Sequence, residues 1–226
     1  MIKAFLLTSI LLGWNYIFAQ DAQVLLRQVV DKIELIKDYS ANVQITADIP
    51  LIKILPAKAK IYFKGPDKFK VVSKGIAILP KQGFTDMNLF LSKPDDYMVV
   101  FAGKKMIESV ETTLLTVIAN ESDAEIILVK LWVDASRKLI MASEITTRSS
   151  GNVKIDYKYA ENKSFDLPSR IKFTVDVKEF KMPKSFSTNP HKTNKSKANK
   201  RKTGTIELLI SNYKINQGIA DSIFDK

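Results

Sequence analysis

"AKAKIYFKGPDKFKVVSKG", residues 57–75, decides the fold. Ala59, Ile61 and Phe63 alternate with Lys58, Lys60, Tyr62 and Lys64. A period of two marks a strand with one face buried and one face wet. Gly65-Pro66-Asp67 then supplies turn chemistry, and Phe69 and Val71 resume the alternation. Two such runs joined by so short a turn can only pair antiparallel.

The same signature recurs on both sides of this hairpin. Strands are expected over 40–49, 96–103, 105–111, 124–134, 138–148, 152–160, 168–180 and 203–215, separated by turn-rich joins such as "DASR" and "SSGN". Residues 84–93 and 111–121 fit either helix or loop. About 10–11 strands with mainly hairpin-length joins argue for one antiparallel meander, not a βαβ fold. Ahead of them, Asp21 to Lys37 reads as an amphipathic helix, capped by Asp21. Ala22, Leu25, Leu26, Val29, Val30, Ile33 and Ile36 share one face, and Val24 and Leu35 widen it. Such a helix is expected to pack on the sheet.

The N-terminus has a different character. Lys3 precedes an apolar stretch from Ala4 to Phe18, and small Ala19 comes before Gln20-Asp21. This is the pattern of a secretory signal peptide, and it is shorter than the ~20 residues of a membrane span. Residues 1–20 are therefore expected to be removed near Ala19/Gln20, leaving 21–226 as one exported domain. The chain has no cysteine, which excludes disulfides, thiolate metal sites and the lipid-accepting cysteine of a lipoprotein.

The formal net charge is +11. Lys184, Lys192, Lys195, Lys197, Lys200, Arg201 and Lys202 supply most of it, within an insertion at about 184–204 between the last two expected strands. Its Pro, Asn, Ser and Lys content cannot bury enough to order itself, so a solvated, disordered hairpin extension is expected. Export argues against a nuclear address, and the segment has no interleaved Tyr or Trp for base stacking, so nucleic acid is not expected as a partner. An anionic membrane surface is one candidate, contacted by Lys195, Lys197, Lys200, Arg201 and Lys202; a loop made basic for solubility is the other.

Catalytic groups are scarce. The one histidine, His191, lies in that insertion, and no glycine-rich phosphate loop exists. Asp95 and Asp96 sit in a Lys-Pro-Asp-Asp turn, where carboxylates serve turn formation. Neither enzymatic activity nor a cofactor nor a metal is expected. "DIPLIKILPAK", 48–58, places Leu51, Ile52, Ile54 and Leu55 between two prolines where polar turn residues belong. This apolar tip either contacts lipid or a partner, or folds back into the domain's own core.

Taken in order, "LIKDYSANVQITADI", "IYFKGPDKFK", "LWVDASRKLIMASEI", "DLPSRIKFTV" and "INQGIADSIF" resemble the periplasmic outer-membrane lipoprotein-carrier superfamily, with its LolA/LolB-like fold, in particular its divergent Bacteroidetes-type members. The residues 75–88, "GIAILPKQGFTDMN", depart from the pattern, as does the basic insertion. The resemblance implies an α+β, mainly β architecture: a strongly curved antiparallel sheet, an incomplete barrel, with helices packed on or closing its concave face. It implies a periplasmic, monomeric carrier whose apolar cavity holds acyl chains of lipoproteins or lipids on their way towards the outer membrane. Candidate cavity residues are Leu25, Leu26, Val29 and Ile33 of the helix, with Ile45, Ala59, Ile61, Phe63, Phe69, Val71, Ile171, Phe173 and Val175 of the strands. Plain core packing is the other role open to each of them. A non-transporting envelope sensor on the same fold, binding a regulator protein, is the alternative, with an exported nucleic-acid binder behind it.

Overall fold

The computed structural model describes residues 21–50, 54–73, 85–149, 151–160, 166–176 and 203–225. Helix α1 covers 21–34. The strands are β1 (Asp38–Asp48), β2 (Ala57–Lys64), β3 (Lys68–Ser73), β4 (Tyr97–Ile107), β5 (Val110–Ala119), β6 (Ile126–Asp134), β7 (Leu139–Thr147), β8 (Gly151–Tyr159), β9 (Pro168–Asp176) and β10 (Thr203–Ile215), with helix α2 (Asp86–Leu91) before β4. Residues 1–20, Leu51, Ile52 and the basic insertion with Lys195, Lys197, Lys200, Arg201 and Lys202 lie outside the described residues.

Among the described residues, ten strands form one antiparallel sheet in the order β3-β2-β1-β10-β9-β8-β7-β6-β5-β4. It curves into an unclosed half-barrel. All neighbours are consecutive except β1 and β10, which pair from Tyr39↔Ile215 to Asp48↔Thr205. The chain therefore leaves β3 at one edge and re-enters as β4 at the other, carrying α2 on the way.

The period-two pattern becomes rows across the concave face. One row runs Ala47, Ile206, Phe173, Ile155, Ser143, Leu131, Leu115 through successive register pairs. Its last six members are all 0% exposed. The buried Ser143 hydroxyl meets the Tyr157 hydroxyl at 3.3 Å, which avoids an unpaired polar group. A second row runs Val99, Val117, Val129, Ile145, Val153, Val175 and ends at Gly204. A Cβ at Gly204 would lie 3.2 Å from Ile49 Cγ1 and 3.3 Å from its Cα, so the missing side chain admits Ile49. Ile49 is buried and Ile54 packs on the core, whereas Leu55 is 72% exposed. The described part of the apolar tip thus divides between core and surface.

The rows need a cover, since one apolar sheet face must be buried against another layer. Ala22, Leu26, Val29 and Val30 of α1 and Met87 and Leu91 of α2 join the same hydrophobic cluster as the sheet. The Tyr97 hydroxyl donates to the Leu91 carbonyl at 2.8 Å and ties α2 to the start of β4.

Three local expectations are corrected. The helix ends at Glu34, three residues before Lys37, because the chain must turn into β1. Its last turn tightens through Ile36 N–H to the Ile33 carbonyl at 3.1 Å. The expected strands 96–103 and 105–111 are one strand, β4, bent at a bulge beside Gly103, whose φ of 109° suits glycine. The turn follows at Glu108-Ser109, and 111–119, left open between helix and loop, belongs to β5. Leu114 and Ile118 on the face opposite Leu115 and Val117 blur the alternation there.

The C-terminal tail fastens α1. The Asn216 carboxamide donates to the Leu35 carbonyl at 2.9 Å and accepts from Lys37 N–H at 2.8 Å. The buried Asp38 carboxylate accepts the N–H groups of Gln217 and Gly218 at 3.1–3.2 Å. Asp221 bridges Lys64 and Lys68 across the β2–β3 hairpin at 3.0 and 2.6 Å. Asn216 sits at φ 53°, a conformation that glycine also accepts. Replacing Asn216→Gly should cost about 1 kcal/mol through the lost bonds, a fall of about 2–4 °C in Tm for a chain of this size. Asn216→Ala should cost more, because it adds left-handed strain; thermal unfolding of both variants checks the order.

Candidate functional site

A cavity of about 400 Å³ lies between α1, α2 and the concave sheet face. Val29 and Ile33 of α1 and Ile36 just beyond it form one wall, and Met87 is the contribution from α2. Phe63, Ile140, Ile171 and Ile210 line it from the sheet. Of the candidates, Val29, Ile33, Phe63 and Ile171 line this cavity. Leu26, Ile45, Ile61, Phe173 and Val175 are buried in the core beside it, and Leu25, Ala59, Phe69 and Val71 pack against that core. Alternation alone cannot separate these groups, because core and cavity share one face of the sheet.

Four tyrosines that the sequence reading passed over shape the cavity: Tyr39, Tyr157, Tyr159 and Tyr213. Tyr39 stacks on Phe63 with centroids 5.2 Å apart and meets Tyr213 edge-on at 5.5 Å. Tyr159 donates to the Ile140 carbonyl and Tyr213 to the Pro168 carbonyl, each at 2.8 Å. Tyr157 pairs with Ser143, as above. These three hydroxyls are turned onto the wall, which leaves ring carbon to face the cavity. Burial raises the phenols of Tyr39, Tyr159 and Tyr213 above their ordinary value. Burial likewise pushes Tyr157 up to about 12, against the opposing hydrogen bond from Ser143. All four stay neutral at any physiological pH, so the lining carries no phenolate. Val153, Ile155 and Tyr157 share a strand face, the signal that could have found Tyr157.

One end of the cavity is charged. Lys32 Nζ donates to Asp166 Oδ2 at 2.6 Å and to the Arg137 carbonyl at 2.8 Å. Arg137 Nη2 reaches Asp166 Oδ1 at 2.9 Å, and its guanidinium sits 5.9 Å from the centre of the Tyr159 ring. The turn carrying Arg137 is fixed by Asp134 Oδ1, which accepts from Ser136 N–H, Ser136 hydroxyl and Arg137 N–H at 3.0, 2.6 and 3.1 Å. Burial alone would raise the Asp134 carboxyl, yet these hydrogen bonds win and hold it below the ordinary value. Lys138 follows at φ 57° and lines the cavity. Among the described residues no cluster of His, Asp or Glu could hold a metal ion, and no helix is long and apolar enough to cross a membrane.

Asp166 ties α1 to the sheet, and the hydrogen bond from Lys32, seconded by that from Arg137, lowers its carboxyl below the ordinary value. A depressed carboxylate contributes stability in full above its unfolded value of about 4 and loses it as pH falls through the folded value. Asp166→Asn should therefore lower stability at pH 6 by about 0.5–1 kcal/mol, the scale of a partly exposed ion pair. The difference from the parent should shrink progressively as pH falls below about 4, which a series of thermal unfolding curves from pH 6 downwards measures.

No family model and no curated protein sequence matches this chain. Solved structures do. A DUF1329 family protein from Desulfovibrio piger superposes with TM-score 0.62 at 10% identity, covering 92% of this chain and 97% of its own. A putative outer membrane lipoprotein-sorting protein domain from Vibrio parahaemolyticus gives TM-score 0.61 at 9% identity, covering 92% and 97%. A LolA superfamily protein from Nitrosomonas europaea gives 0.58 at 15% identity, covering 88% and 97%. The half-barrel with its two covering helices is thus a LolA-like fold.

Proposed function

We propose that this chain is a non-catalytic carrier of the cell envelope that takes acyl chains of lipoproteins or lipids into the cavity and moves them towards the outer membrane. The observation that carries this reading is the apolar cavity of about 400 Å³ beneath α1, with tyrosine hydroxyls turned onto its walls. Its volume lies within the range of small-molecule sites. Each methylene moved from water into such a lining gains about 0.8 kcal/mol. The fold shared with a lipoprotein-sorting protein supports the same reading. The envelope location rests on the leader pattern of residues 1–20.

Loading requires the cover to move. The C-terminal end of α1 is held by Asn216, and its flank by Lys32 on Asp166. The bonds on Asp166 join partly exposed groups and are cheap to break, whereas the Asn216 clasp bonds backbone groups.

Native mass spectrometry of the protein isolated from envelope extracts tests the reading. A stoichiometric adduct of acyl-lipid mass, removable by organic extraction, is expected. Ile171→Trp, which fills the cavity, should reduce the adduct at least tenfold while thermal unfolding remains cooperative. A parent protein free of lipid adduct, and unable to take up lipid added back, overturns the proposal.

A further inference from the structure

We infer that the cavity accepts a single-chain amphiphile with an anionic head, carboxylate or phosphate, seated among Arg137, Lys138 and Lys32. This inference rests on the carrier reading and deepens it by narrowing the cargo from lipoproteins or lipids to single-chain lipids.

Size sets the number of chains. A cavity of about 150 Å³ holds one benzene, so about 25 Å³ serves one carbon. At that rate 400 Å³ accommodates about 16 carbons, which is one acyl chain and not two or three.

Charge sets the head. The charged groups among the described residues lining the cavity are Lys32, Lys138 and Asp166, with Arg137 beside them over Tyr159. Both Asp166 oxygens are engaged, one by Lys32 and one by Arg137. Its single negative charge is answered twice, and Lys138 adds a third cation. The Lys138 ammonium donates to the Ala135 carbonyl, one acceptor for a group with three N–H donors. The local balance is positive at one end of an otherwise apolar cavity. An anionic head gains charge-assisted hydrogen bonds there, whereas a cationic head meets like charge. The tail then lies along Val29, Ile33, Ile171 and Ile210.

Isothermal titration of the delipidated full-length protein tests this with four twelve-carbon probes below their micelle concentrations. They are dodecanoate, dodecyl phosphate, triethylene glycol monododecyl ether and dodecyltrimethylammonium. The two anions should bind about tenfold tighter than the ether, weaken as salt is raised, and outcompete the cation by a larger margin. A tighter carboxylate points to a fatty-acid head, and a tighter phosphate to a lysophospholipid head. Lys138→Asn keeps a residue that tolerates the left-handed backbone and should bring the anions to within about twofold of the ether; Arg137→Gln provides an independent second variant. Equal binding of anions and ether, or tighter binding of the cation, overturns the inference and leaves the carrier reading intact. Binding of none of the four overturns the carrier reading itself.

Discussion

The ladder between β1 and β10 is the constraint from which the rest of this molecule follows. Every other strand pair joins neighbours in sequence, while this one bridges residues 39 and 215. Without it, β1 to β3 and β4 to β10 would be two sheets, each with an apolar face and too little to cover it. Once they are joined, one continuous face curves around a single hydrophobic cluster, and two helices suffice to close it. The pairing also sets Tyr39 against Tyr213 and brings the exit of α1 beside Asn216. The cavity wall and the fastening of its cover are both products of one register.

The hydroxyls of Ser143, Tyr157, Tyr159 and Tyr213 are satisfied locally. Ser143 sits at the middle of the deepest row and finds Tyr157, while Tyr159 and Tyr213 find backbone carbonyls. An unpaired buried hydroxyl would cost about 1–3 kcal/mol and would draw in water. With these bonds made, the rings behave as hydrocarbon towards whatever fills the space. Charge is confined to the end held by Asp166.

Much of this was legible in the sequence. The hairpin at 57–75, the strand at 203–215 and the face of α1 follow from periodicity, since each has one wet and one buried side. The half-barrel and its covering helices were implied by the resemblance of the linked motifs, and the ten-stranded open sheet has that form. Strand β5 was obscure because Leu114 and Ile118 are apolar on its outer side. The Glu108-Ser109 turn was obscure because it has no glycine, proline or asparagine. The candidate site was legible only by face: Val29, Ile33, Phe63 and Ile171 reach the cavity, while Phe173 and Val175, on the same face, pack solid. Which part of one face stays hollow depends on where a helix crosses it, and that is a long-range fact. The pairing of Asp166 with Lys32, 134 residues away, is beyond any local pattern for the same reason.

The position of β10 inside the sheet, between β1 and β9, has a consequence for biogenesis. Ribosomes deliver residues 203–215 after the other nine described strands, so β1 and β9 must each wait with one bare hydrogen-bonding edge. Loop closure over that separation is slow compared with hairpin zipping. A nascent or truncated chain lacking this strand has no native way to bury either edge, and exposed edges invite pairing with other chains. The integrity of the sheet thus hangs on its last described strand, and a stop codon ahead of residues 203–215 should be far more damaging than the length of that strand implies.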